Sequence, residues 1–250
     1  MSSTTRDAHL KETLDWALSR MSGAGYPVQS KVSLVVDPAL KFMGYAKQVD
    51  SAHLIVIAGW ALDSEMLGGL VLHELAHIYH IERGSPTHTG GVAERTIEDV
   101  VRREGLSERE ARSLYDAFSH LQNILVDDIV FSCMKERDHR LAARFFMEWV
   151  SDRPTGDPVV DATLVVRNAF AIASLKKRRV LDTLDEMRVR NDRLLSVLGD
   201  GWRKDFEDLE RFLEQAKPEW GEKELGEALK EYLSKVLGLM SRRKGLEDLK

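Results

Sequence analysis

His73, Glu74, His77 and His80 lie in GGLVLHELAHIYHIERG, residues 68–84, a run otherwise apolar as far as Ile81. At about 100° per helical residue, the three histidines and Gly69 fall within about 80° of one another, on one narrow seam. The rest of the wheel is apolar, and a helix apolar nearly all round is normally buried. Buried polar groups need matching partners. The spacing suggests a metal ion as that partner. His73 and His77, four residues apart, project their rings to one point, as two ligands about 2.0–2.1 Å from one zinc require. Glu74 is one step further round, able to act on a metal-bound water without ligating. His80 shares the seam, but its backbone is roughly 10 Å from that of His73 along the helix axis. It reads as a supporting or surface residue.

Two histidines do not complete a catalytic zinc site, which normally has three protein ligands and a water. A second helix, beginning at Ser107, is again apolar in most directions. Its one polar seam carries Asp116, His120, Asn123 and Asp127 within about 60°. Two such helices satisfy both seams by packing them together around an ion. Asp127, Asn123, His120 and Asp128 are all candidates for the third ligand. Alternatively, Asp127 hydrogen-bonds His73 or His77 from behind, as carboxylates beside metal-bound histidines do.

The HELAH motif resembles the active-site helix of the zincin (HExxH) metallopeptidases. In the metzincin branch a third histidine lies six residues beyond the second; that position is Arg83, which excludes the branch. Gluzincins place Glu-x-x-x-Asp on a downstream helix, and this chain is gluzincin-like with Asn123-Ile-Leu-Val-Asp127 instead. LQNILVDDIV looks more like the Asn-x-x-x-Asp helix of predicted metallopeptidases associated with von Willebrand-type domains. The resemblance spans roughly residues 50–130. It implies a zincin-like small sheet flanking the active-site helices, with Zn2+ held by His73, His77 and Asp127. Asn123 would support them. Glu74 would be the general base in peptide-bond hydrolysis, and the substrate a peptide or protein. His88, Tyr79 and Arg95 are candidates to stabilise the oxyanion. The competing reading is a non-catalytic zincin-fold module for metal binding or protein interaction; an intact Glu74 argues for catalysis, since a structural zinc needs no base.

The elements that must position these residues follow from periodicity and turn signals. Thr5–Met21 reads as an amphipathic helix closed by Gly23. KVSLVVDP, FMGYAKQV and SAHLIVIAGWAL read as two or three strands. The last of them is expected to pair with an extended substrate. Asp63 or Ser64 is placed to cap the HELAH helix, which stops at Gly84. Residues 84–91 form a connecting loop, with a lid as the alternative. A helix near 92–103 ends at Gly105, and Ser107 with Glu110 makes a capping box for the next, extending to about Asp138. LAARFFMEWV adds a further helix before Pro154, and segments near 158–176, 180–198, 202–217 and 219–243 follow. The fold class is therefore α+β, predominantly α. Residues 1–150 form a zincin-like metal-binding domain, and residues 151–250 an all-helical C-terminal region packed on it.

Composition narrows the function classes. At 250 residues, 43% hydrophobic and 31% charged, the chain is long enough for a substantial core. The single cysteine, Cys133, excludes an internal disulfide. No segment reaches about 20 uninterrupted apolar residues, and the start lacks a signal-peptide pattern; a cytoplasmic protein without membrane partners is expected. A net charge of −5 offers no general attraction to nucleic acid. The KKRR run at 176–179 is short, lies near Asp182, Asp185 and Glu186, and reads as a solvated helix end.

Overall fold

The computed structural model describes residues 3–180 and 184–241. The fold is α+β and predominantly helical, with one three-stranded sheet among the described residues. Two compact units divide it: one comprises residues 1–88 and 126–142, the other residues 89–125 and 143–250. Two helices each change unit partway along.

The first unit opens with α1 (Ser3–Gly23), which buries Leu10, Leu14, Ala17 and Met21. The strands β1 (Val32–Asp37), β2 (Gly44–Val49) and β3 (Ala52–Ala58) follow. Their spatial order is β1-β3-β2, with β1 parallel and β2 antiparallel to β3. β3 is thus central and lined on both sides, which fits its nearly continuous burial and the tendency of such strands to read as unbroken apolar runs. This corrects the expectation that SAHLIVIAGW pairs with substrate: both of its ladders are taken. The edge next to the HELAH helix belongs to β2.

That helix, α2 (Leu67–Glu82), buries Leu67, Leu70, Val71, Leu72, Leu75, Ala76 and Ile78 in a core shared with α1, the sheet and Val126, Ile129, Val130 and Cys133. Neither Asp63 nor Ser64 is its N-cap. Met66 holds that position without a side-chain bond, and Ser64 Oγ accepts from Met66 N at 3.1 Å in the turn before. At the other end, Gly84 adopts φ +65°, the left-handed conformation that closes helices. Glu82 ties this end to the start of β1: its carboxylate accepts from the N–H groups of Gln29 and Ser30 at 2.8 and 2.7 Å. Those charge-assisted bonds hold its pKa below the ordinary glutamate value despite partial burial.

In the second unit, α3 (Gly91–Glu104) ends on Gly105, again left-handed at φ +61°. The capping box then opens α4 (Glu108–Cys133): Ser107 N and Oγ donate to Glu110 Oε2 at 2.9 and 2.7 Å, and Glu110 N donates back at 3.3 Å. α4 stops at Cys133, earlier than its apolar pattern suggested, and α5 (Glu136–Trp149) takes over. The last turns of α4 and the first turns of α5 belong to the first unit. α6 (Pro158–Lys177) starts at an Asp157 cap that accepts from Val159 N and Val160 N. It packs against α7 (Leu184–Leu198), α8 (Asp200–Glu214) and α9 (Glu222–Ser241). By length and composition α6 could cross a membrane, yet 67% of its apolar window is buried in the fold; its hydrophobicity belongs to the core.

Candidate active site

His73, Glu74 and His77 project from the middle of α2. His73 Nε2 lies 3.2 Å from His77 Nε2, with the rings edge to face at 4.8 Å between centroids. With one ring donating, this is a hydrogen bond of ordinary length. It also fits a shared ion: two nitrogens each about 2.0–2.1 Å from a tetrahedral zinc sit about 3.3 Å apart. The pair of donors is therefore compatible with zinc. Among the described residues, no group of three or more His, Cys, Asp or Glu side chains forms a ready cage.

The outer nitrogens of both rings are also engaged. Asp127, on the last turns of α4 and 3% exposed, places Oδ1 3.6 Å from His73 Nδ1. Asp127, expected from spacing to be a ligand, thus lies beside His73, with its carboxylate facing the ring nitrogen remote from His77. His77 Nδ1 lies 3.0 Å from His88 Nε2, and His88 Nδ1 lies 2.8 Å from Thr87 Oγ1, itself 2.8 Å from Ser85 Oγ. His80 stacks on His88 with ring centroids 4.7 Å apart and is buried rather than at the surface. Burial, with the neighbouring His80 and His73, pushes the pKa of His88 down to about 3, so this ring is neutral and has one donor and one acceptor nitrogen. Nothing in the sequence singled out this continuation through Ser85, Thr87 and His88, because it depends on residues 85–88 folding back over α2.

Glu74 is 5% exposed. Burial raises its pKa, opposed by His73 and by a hydrogen bond from the backbone of Ala46. Ala46 sits at an informative place on β2. Ala58 N donates to Met43 O at 2.9 Å, and in this antiparallel register that makes Met43/Ala58, Tyr45/Val56 and Lys47/Leu54 the hydrogen-bonded pairs. The N–H and C=O groups of Gly44, Ala46 and Gln48 therefore point outward along the free edge. Leu70 lies within reach of Gly44, so β2 passes α2 from Leu70 toward Glu74. The glutamate is bound to the edge of β2 that pairs with no strand among the described residues.

Of the other candidates, Asp128 is half-buried on α4. His120 and Asn123 belong to the second unit, where the His120 ring stacks on Phe170 at 4.8 Å. Among the residues weighed for the oxyanion, Tyr79 packs edge-on against Tyr26 and lies under the Arg83 guanidinium, His88 faces His77, and Arg95 lies on α3.

The profile of a family described as a family of unknown function (DUF5781) matches residues 24–189, which include the sheet, α2, the following loop and all of α4. No curated protein and no solved structure matches the chain.

Proposed function

Since the chain belongs to the DUF5781 family, whose function is unknown, we propose a reaction from its own side chains: zinc-dependent hydrolysis of peptide bonds on a zincin-like fold. The observation that carries the reading is the convergence of the His73 and His77 Nε2 atoms beside a buried glutamate that is bound to an open strand edge. His73 and His77 would be two of the ion's ligands, with Asp127, whose Oδ1 lies 3.6 Å from His73 Nδ1, either the third or the partner that orients His73. Zinc held there supplies a Lewis acid for the scissile carbonyl and lowers the pKa of water.

The chain's own groups do the rest. Asp127 and His88 engage the Nδ1 atoms of His73 and His77, which leaves both Nε2 atoms turned inward and fixes the ring orientations. Glu74 accepts a proton from the attacking water and delivers it to the leaving amine nitrogen, a general base followed by a general acid. Its raised proton affinity suits a group that must hold that proton between the two transfers. An extended peptide would pair with the outward backbone groups of β2 that Glu74 leaves unused, those of Gly44 and Gln48, and so lie along the strand beside the histidines.

The test is zinc content and peptide cleavage measured on the same preparations of wild type and Glu74→Gln. Wild type should bind zinc and cleave members of a broad peptide library. The variant should keep its zinc and lose cleavage by about 10²–10⁴-fold, the usual contribution of a positioned acid–base. Stoichiometric zinc in wild type with no peptide cleaved would leave a metal-binding module without this activity.

A further inference from the structure

The hydrogen bonds that lead away from His77 end on two hydroxyls, and that ending decides how the site can take up an ion. His77 Nδ1 lies 3.0 Å from His88 Nε2, His88 Nδ1 lies 2.8 Å from Thr87 Oγ1, and Thr87 Oγ1 lies 2.8 Å from Ser85 Oγ. Backbone bonds seat this turn on the end of α2: Ser85 N donates to His80 O at 3.0 Å, and His88 N to Ser85 O at 2.8 Å. The His80 ring stacks on His88 with 12° between their planes, and Thr87 is 2% exposed. The heavy atoms are held, and what is left to vary is where the protons along the chain sit.

A neutral imidazole has one N–H and one lone pair, so rings joined end to end must all donate in the same direction. The Asp127 carboxylate can only accept, so the His73 nitrogen that faces it, Nδ1, carries that ring's proton. His73 Nε2 then accepts from His77 Nε2, His77 Nδ1 accepts from His88 Nε2, and His88 Nδ1 accepts from the Thr87 hydroxyl. An ion between the two Nε2 atoms needs a lone pair on each. His77 must then carry its proton on Nδ1 and donate to His88, which donates from Nδ1 to Thr87, which donates to Ser85. A hydroxyl both donates and accepts, so Thr87 serves either direction; a carbonyl or an N–H in its place would serve only one. We propose that His88 and Thr87 are positioning residues of a reversible proton relay, in which metal entry turns His77 and His88 from their Nε2–H to their Nδ1–H forms. The assignment rests on the metal reading of His73 and His77 above. One proton leaves His77 Nε2 as the ion arrives, those on His88 Nε2, Thr87 and Ser85 each move one place toward His77, and Ser85 takes one from water. The number of bound protons is unchanged.

The experiment is proton–nitrogen correlation NMR of the full chain with isotope-labelled histidine rings, at about pH 8, where a free imidazole is neutral, before and after stoichiometric zinc. His88→Gln assigns the His88 signals by their loss. Without metal His88 should be protonated on Nε2, and with zinc on Nδ1. A His88 tautomer that is the same in both states overturns the relay; if the His73 and His77 signals still respond to zinc, the metal site stands without it. Zinc that moves no histidine signal removes the metal site and the relay together. Thr87→Val and Thr87→Ser tie the effect to the hydroxyl. Zinc affinity, read by chelator competition, should fall about tenfold in the valine variant, since the chain leading away from a metal-bound ring is the more polarised and loses more with its end. The serine variant should restore it. A valine variant that binds zinc as tightly as wild type overturns the part assigned to Thr87.

Discussion

At the scale of residues, the two ring nitrogens of His73 face different neighbours. Nε2 faces His77 and Nδ1 faces Asp127, so under the proposed chemistry Asp127 would support His73 from the side away from His77. Asp127→Asn should therefore weaken zinc binding by about 10–100-fold, the usual cost of losing a supporting partner, without abolishing it. Competition with a chromophoric chelator measures this directly. A variant that retains no zinc under saturating metal would put Asp127 among the ligands. HELAH was legible from spacing alone, because i and i+4 on a helix fix where two rings meet. What Asp127 does was not, since a wheel places a carboxylate on a face and cannot tell which side of an imidazole it approaches. His88 lay further out of reach: its partnership with His77 depends on the path of a loop.

At the scale of elements, an edge strand and a helix share one hydrogen bond. The Ala46 N–H that supports Glu74 points away from β3, so the ladder does not use it. Proline at this position removes that donor while occupying the one kind of strand site where proline is tolerated. Ala46→Pro should unfold within a few degrees of wild type in a thermal melt yet lose about tenfold or more in kcat/KM, about 1.4 kcal/mol of transition-state support. An unchanged kcat/KM in a folded variant would show that Glu74 needs no help from the strand. The three strands, the HELAH helix and the Ser107 capping box were readable from alternation, caps and turn signals. Strand order was not: β1 and β2 both pair with β3 through contacts that no local pattern encodes. The most apolar strand consequently took the middle, and the less apolar GYAKQV took the edge.

At the scale of the whole molecule, burial sets an acid limit on stability. His120 stacks on Phe170 with Nδ1 shut off from solvent; burial, and the charge of Arg167, push its pKa down to about 4. In the unfolded chain a histidine titrates near 6.5. As pH falls below that value the unfolded state takes up a proton that the folded state refuses until about pH 4, so the native state loses stability across this window and gains none back. The cost is about 3 kcal/mol for a shift of this size. His120→Leu removes it: the stability difference between variant and wild type should move in the variant's favour between pH 7 and 4.5, read by urea unfolding at each pH. A difference constant with pH would contradict a neutral buried His120. The helical second half was legible in its amphipathic rows, whereas the boundaries of the compact units were not. α4 and α5 each run unbroken from one unit to the other, and helix periodicity carries no mark at such a crossing.

That crossing bears on the order in which the protein is made. A ribosome that has released residues 1–88 has delivered His73, Glu74, His77 and His88, but Asp127 follows only after the excursion through residues 89–125. At roughly 5–20 residues per second, the two histidines wait for seconds before Asp127 is made and can come beside His73. The side-chain cluster on α2 is completed late in the birth of this chain, only when residues 126–142 join the first unit.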